Sequence, residues 1–220
     1  MAEKLVLLHT LPSPFAAKVR IGLAEKGVEY ESFEEDLSNK SQLLLTVNPI
    51  YKQIPVLIHN GIPICDSSII LEYIDEVWTE NSHIFPSDPY LRANTRFWVD
   101  YISKNIFDIS RDFVVKSTGE TLEAEKKELV KRYKVLEGEL GNKTYFGGEN
   151  FEAVDMALIP FSGWFLSYEK TGLNIKDECP KIVEWAERCL KRESVSKSLA
   201  PPQLIYEVLK NIRKQYFQDK

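Results

Sequence analysis

Along the first eighty residues apolar side chains come in short runs broken by turn formers; beyond residue 90 they recur at helical spacing. The run at 4–9 predicts a buried strand. A helix over 14–26 follows, with Ser13 as N-cap, Pro14 at its first position and Gly27 as the residue that ends it. Residues 28–33 alternate and predict a second strand, parallel to the first because a helix joins them. Residues 39–47 predict a short helix closed by Asn48-Pro49. Two apolar runs, 53–58 and 62–64, flank Asn60-Gly61, a strong hairpin signal. Pro55 cannot donate to a sheet ladder, so it marks either an edge or a cis turn. Asp66, Ser67 and Ser68 are capping types and open a helix through Ile69, Leu71 and Ile74.

Residues 81–89 carry two prolines among polar residues and read as a linker. One long helix is predicted over 90–116, interrupted by Ser117-Thr118-Gly119. An amphipathic helix then runs from Thr121 through Leu129, Tyr133, Leu136 and Leu140, its charged face solvated. Residues 156–168 are apolar almost all round and predict a central buried helix, with Asp155 near its start and Pro160 tolerated in its first turn. Pro180 and Pro201-Pro202 open two further helices. The order is mixed α/β in the first third and all-α after it.

Composition narrows the class. A chain of 220 residues, 44 % hydrophobic and 28 % charged, fits a soluble globular protein of one large or two small domains. A net charge of −5 argues against nucleic acid as a partner. No apolar run has the length of a membrane span, and the N-terminal residues do not read as a secretory leader. Cys65, Cys179 and Cys189 are an odd number without a CxxC pair, which fits reduced thiols. His9, His59 and His83 lack metal-ligand spacing, so no metal site is expected.

The candidate chemistry lies at two helix mouths. Free N–H groups at a helix start favour an anion, or a group that must become one. Ser13 and the Asp66-Ser67 pair each stand at such a start. On local sequence alone each is either a cap or a ligand contact.

The motifs taken in order resemble a known family. Ser13-Pro14-Phe15, Asn39-Lys40-Ser41, Asn48-Pro49, Ile54-Pro55-Val56-Leu57, Asp66-Ser67 and Ser87-Asp88-Pro89-Tyr90 resemble the glutathione transferases, the plant tau class in particular. The resemblance implies an α/β thioredoxin-like N-terminal domain (1–80), a linker (81–89) and an all-helical acceptor-substrate domain (90–220). It implies Ser13 as the catalytic donor that holds the glutathione thiol as thiolate. It implies Lys40, Gln53, Ile54, Asp66 and Ser67 as glutathione contacts: Asp66 and Ser67 at the γ-glutamyl end, the Ile54 backbone at the cysteinyl part, and Lys40 at the glycyl carboxylate. Acceptor-site candidates by position are Phe15, Phe107, Arg111, Trp164, Tyr168 and Tyr206, each also a reasonable core or ion-pair residue. Glutathione is then the co-substrate, apolar electrophiles are the acceptors, and the protein is a cytoplasmic homodimer with no metal.

Four positions depart from the family. Asp66 stands where glutamate is common, a shorter arm toward the ligand ammonium. Gln53 stands where a second lysine is usual, and an extended segment would turn neighbouring Lys52 to the other face. Lys18 replaces a usual arginine and lacks its planar fork. Glu152 replaces the serine or threonine of the usual capping box before Asp155, which leaves that box incomplete. The expected activity is attack of the glutathione thiolate on an electrophilic carbon, with reduction of organic hydroperoxides as a side activity. A non-catalytic carrier of apolar small molecules is the alternative. A thiol-disulfide oxidoreductase is disfavoured, because a serine stands where the protein thiol would have to be.

Overall fold

A computed structural model describes residues 4–218. The outermost residues of the two expected domains, 1–3 and 219–220, lie outside it.

The N-terminal part is a four-stranded sheet with helices on both faces. Strands β1 (Leu5–His9), β2 (Glu31–Glu34), β3 (Val56–His59) and β4 (Ile62–Cys65) lie in the order β2-β1-β3-β4. β1 and β2 are parallel, with Leu8 opposite Phe33; β3 is antiparallel to both β1 and β4. Helices α1 (Pro14–Glu25) and α3 (Ser67–Val77) pack on one face, and α2 (Gln42–Val47) lies on the other. Strand alternation explains this division. Leu5, Leu7 and Leu57 point to α1 and α3, and Leu8, Val56 and Ile58 meet Leu44 of α2. Gly22 lets α1 and α3 approach closely: a Cβ there would lie 2.5 Å from Leu71 Cδ1.

β2 starts three residues later than its alternation suggests, and all four of its residues are exposed, as suits an edge strand. The expected long helix over 90–116 is also revised. It is α4 (Pro89–Asn105), then α5 (Phe107–Arg111), then a π-helical turn, Asp112–Lys116. The apolar period continues through the breaks, so the sequence pattern does not show them. α6 (Gly119–Leu140) follows.

The central helix over 156–168 is likewise three pieces: α7 (Ala153–Leu158), a 3₁₀ stretch (Ile159–Trp164) and α8 (Phe165–Lys170). Pro160 lies inside the run, and without an N–H it cannot extend the α-ladder there. The whole run remains buried, as its composition requires. α9 (Ile175–Glu178), α10 (Pro180–Cys189), α11 (Glu193–Ser196) and α12 (Pro202–Gln218) complete the chain.

The cap before α7 is complete after all. Glu152 takes the place of the hydroxyl residue in a capping box with Asp155. Asp155 Oδ2 accepts from Glu152 N (3.0 Å), and Oδ1 accepts from Phe146 N (3.0 Å) and Trp185 Nε1 (2.8 Å). Burial still raises Asp155 to about 6 against those N–H groups. Burial and the neighbouring carboxylates Asp155 and Asp75 raise Glu152 to about 7.

Two buried polar nodes tie the sheet layer to the helices. Asp75 accepts from Lys26 Nζ (2.9 Å), Ile84 N (2.8 Å), Phe85 N (3.3 Å) and Arg92 Nη1 (3.4 Å). Arg20 donates to the carbonyls of Thr10, Leu11 and Ser198, joining the loop after β1 to the segment before α12.

Candidate functional site

The loop after β1 delivers Ser13 to the N-terminus of α1. Its backbone is extended and its Oγ accepts from Ala16 N at 3.2 Å. The cap uses a lone pair, so the O–H proton remains available to a ligand. Asp66 caps α3 in the same manner, accepting from Ser68 N (2.8 Å) and Ile69 N (3.3 Å). Its φ of 72° is a strained conformation for a residue with a Cβ. The Ile54–Pro55 bond is cis, which settles the choice left by the sequence.

These features open on two adjoining cavities that share Phe15, Gln53, Ile54 and Ser103. One, about 570 Å³, is lined by Gln53, Ile54, Asp66 and Ser67. The other, about 650 Å³, is lined by Ser13, Lys40, Gln53 and Ile54 at one end. Ser13 and all five expected glutathione contacts therefore border these two adjoining cavities.

The sequence reading missed Lys52. Its φ of 53° is left-handed rather than extended, and its N–H bonds to Asn48 O at 2.8 Å. The side chain lines the same cavity as Lys40 and Ser13. The Asn48-Pro49 turn that bends this segment was the available signal. Gln53 is fixed from behind, where Asn48 Nδ2 donates to its carbonyl at 2.9 Å.

Lys18 is buried beneath the second helix mouth. Its Nζ donates to Ser68 Oγ at 2.9 Å. Burial lowers it to about 8, with the negative charge of Asp66 opposing. Cys65 lies close by but is no candidate nucleophile. Burial, and then Asp66, push its thiol pKa up, and its Sγ faces Val47 O at 3.8 Å.

The apolar end of the larger cavity is formed by Phe15, Phe107, Trp164, Ile205, Val208, Leu209 and Ile212. Phe15 meets Phe107 edge-on at 4.8 Å between ring centroids. Trp164 is buried, and its indole N–H has no hydrogen-bond partner among the described residues. Arg111 stands at the rim, 5.5 Å from the Phe107 ring, and is paired with Asp108 (3.0 Å) and Asp112 (2.9 Å). Its charge is largely answered within the chain.

Two acceptor candidates fall elsewhere. Tyr168 is fully buried, donates to Ser110 Oγ at 2.6 Å and borders neither cavity. Its ring packs instead beside Phe113 and Tyr133, in the interior of the helical part. Tyr206 lies on another face of α12 and lines a separate cavity. Among the described residues no cluster of three potential metal ligands occurs.

Comparison with known proteins accords with this geometry. The family pattern described as "Glutathione S-transferase, N-terminal domain" matches residues 3–76, and "Glutathione S-transferase, C-terminal domain" matches 95–193. Glutathione S-transferase U19 of Arabidopsis thaliana is 51 % identical over 217 residues, covering 98 % of this chain and 99 % of the relative. Probable glutathione S-transferase parA of Nicotiana tabacum is 54 % identical over 206 residues, covering 93 % of each. The crystal structure of rice GST1 in complex with glutathione superposes with a TM-score of 0.94 at 38 % identity, covering 98 % of this chain and 99 % of that one.

Proposed function

Because this chain belongs to the glutathione S-transferase family, we propose that it conjugates glutathione to apolar electrophiles, with Ser13 as the residue that activates the sulfur. The observation that carries the assignment of Ser13 is its placement. It is an N-cap whose O–H is free, bordering the cavity that also holds two lysines and an apolar end.

In this reading glutathione lies along the groove. Its γ-glutamyl carboxylate takes the N–H groups of the α3 start and the Ser67 hydroxyl, and its ammonium faces Asp66. The Ile54 backbone pairs with the cysteinyl unit as a strand edge does. Lys40 and Lys52 hold the glycyl carboxylate, and Gln53 adds a neutral donor. Ser13 donates its hydroxyl to the sulfur. Each pKa unit by which the thiol is lowered takes about 1.4 kcal/mol of preferential stabilisation. A hydroxyl donor and a helix N-terminus together supply about one to two units.

The thiolate then attacks an electrophilic carbon of the acceptor held against Phe15, Phe107 and Trp164. A carbon–sulfur bond forms, and the leaving group departs with its electron pair. The protein contributes proximity and an apolar pocket. A hydroperoxide meets the same thiolate: sulfur takes the terminal oxygen and the alcohol leaves. A second glutathione then reduces the sulfenic acid, giving the disulfide and water.

The division into 1–80, 81–89 and 90–220 places the glutathione contacts in the first unit and most acceptor contacts in the last. Exposed Tyr51, Ile69, Tyr90 and Phe97 support a homodimer through the loop before β3, α3 and α4. Three free cysteines support a cytoplasmic location. Conjugation of glutathione to a chloronitrobenzene, followed by absorbance, tests the assignment. Wild type turns over and Ser13→Ala is slowed. Equal, slow rates in both overturn the enzyme reading and leave the carrier.

A further inference from the structure

Most polar side chains that line the larger cavity are already committed. Lys40, Lys52 and Gln53 stand at its glutathione end. Ser103 Oγ donates to Val99 O, within its own helix, at 2.9 Å. Arg111 is paired with Asp108 and Asp112. The unpartnered indole N–H of Trp164 is closed off from the cavity. Thr10 is different. It is half-buried, it lines the cavity together with Ser13, and its hydroxyl has no hydrogen-bond partner among the described residues.

The backbone of Thr10 is held from two sides. Its carbonyl accepts from Ser13 N (3.3 Å) and from Arg20 Nη1 (3.2 Å), beside the turn that delivers Ser13. Arg20 Nη2 donates at once to Leu11 O (2.9 Å) and Ser198 O (2.8 Å). That shared nitrogen draws the loop of Thr10 against the segment entering α12, whose Ile205 lines the acceptor end. Thr10 therefore stands between the sulfur site and the acceptor wall, with its backbone fixed and its O–H uncommitted.

We propose that the Thr10 hydroxyl is a catalytic donor to the acceptor. It serves electrophiles whose attacked carbon is conjugated to an oxygen, α,β-unsaturated ketones above all. The role rests on the conjugation reading above. The thiolate adds to the β-carbon and forms a carbon–sulfur bond. The π pair of the carbon–carbon double bond shifts, and the charge passes to an enolate oxygen. Thr10 donates a hydrogen bond to that oxygen and keeps its proton, because an alcohol is too weak an acid to give it up. Water then protonates the α-carbon and the ketone re-forms. The hydroxide left behind is neutralised by the proton that the thiol released. Such a donor acts on charge that develops only as the bond forms, so it raises kcat. An alkyl iodide gains nothing from it, since the charge departs on iodide, a weak hydrogen-bond acceptor.

The test compares kcat for 4-phenyl-3-buten-2-one and for 1-iodohexane, at saturating glutathione, in wild type, Thr10→Val and Thr10→Ser. Wild type conjugates both. Thr10→Val keeps the shape of the side chain without the donor, and the ratio of ketone to iodide rates falls about tenfold, less than for a donor fully shut off from water. Thr10→Ser restores the ratio. The thiol pKa of bound glutathione, read from thiolate absorbance, is the same in all three, which a disturbance passed on through Ser13 would not leave. The role of Thr10 is overturned if Thr10→Val has the wild-type ratio, if Thr10→Ser fails to restore it, or if the thiol pKa moves with it. A wild type that conjugates the iodide but not the ketone overturns this role and leaves the transferase reading standing. A wild type that conjugates neither overturns both.

Discussion

Replacing Ser13 by alanine removes two things whose sizes differ. The first is the cap. Ser13 Oγ accepts one bond, from Ala16 N at 3.2 Å, and losing such a cap costs about 1 kcal/mol. In a chain of this size that lowers the thermal midpoint by about 2–4 °C. The second is the donor to sulfur. A free thiol titrates near ~8.5; if the hydroxyl and the helix terminus bring bound glutathione to about 7, and the hydroxyl accounts for about one unit, Ser13→Ala leaves it near ~8. At pH 6.5 the thiolate fraction then falls from about a quarter to about 3 %, roughly an eightfold loss. At pH 8.5 both forms are mostly thiolate and the loss shrinks to under about 1.5-fold. The assay is kcat/KM for conjugation of a chloronitrobenzene across that range, with the thiolate absorbance of the bound complex titrated in parallel. A defect of the same size at both pH values refutes the thiolate argument and makes Ser13 a positioning group. No defect at any pH reduces it to a cap.

Lys52→Gln raises KM for glutathione about fivefold by steady-state kinetics, and Gln53→Lys lowers it by a similar factor, since each changes one charged contact to the glycyl carboxylate. An unchanged KM in Lys52→Gln would show that its side chain does not serve the site. Asp75→Ala strands Lys26 in the interior without its partner and lowers unfolding free energy in urea by about 3 kcal/mol or more; a loss under about 1 kcal/mol would refute the role of this node. Glu152 binds its proton more tightly folded, at about 7, than unfolded, near 4.5. Its contribution to stability is therefore fully present below the unfolded value and is lost as pH rises through the folded one. Glu152→Gln accordingly flattens the decline of thermal midpoint between pH 5 and pH 8, and an unaltered pH profile would contradict the raised value. Tyr168→Phe lowers stability by about 1 kcal/mol and leaves the acceptor KM unchanged, whereas a raised KM would return Tyr168 to the acceptor site.

Local chemistry carried much of the reading. Ser13 before Pro14, Gly27 after the helix, Asn60-Gly61 in the hairpin and the Asp66-Ser67 mouth are encoded within a few residues of where they act, and each element stands there. The apolar runs at 4–9 and 53–58 marked the buried strands, and the pleat of those strands then sets which side chains face which helix layer. The same reasoning failed where helices change type. The π-turn after Arg111 and the 3₁₀ stretch at Pro160 alter the phase by fractions of a turn, and hydrophobic period is too coarse to register that. Tyr168 went to the core and Tyr206 to a second cavity through the direction each helix face takes in the packed structure, which spacing alone does not show.

The sequence by itself determined the two-part architecture, the helix mouths and the residues able to bind an anion there, because caps and periods are short-range properties of the chain. Tertiary structure alone decided that Lys52 lines the same cavity as Lys40, that Lys18 is buried with its ammonium on Ser68, that Asp108 and Asp112 answer the charge of Arg111, and that α12 divides two cavities. Those outcomes depend on backbone direction at single residues and on contacts between segments far apart in the chain, which no local pattern specifies.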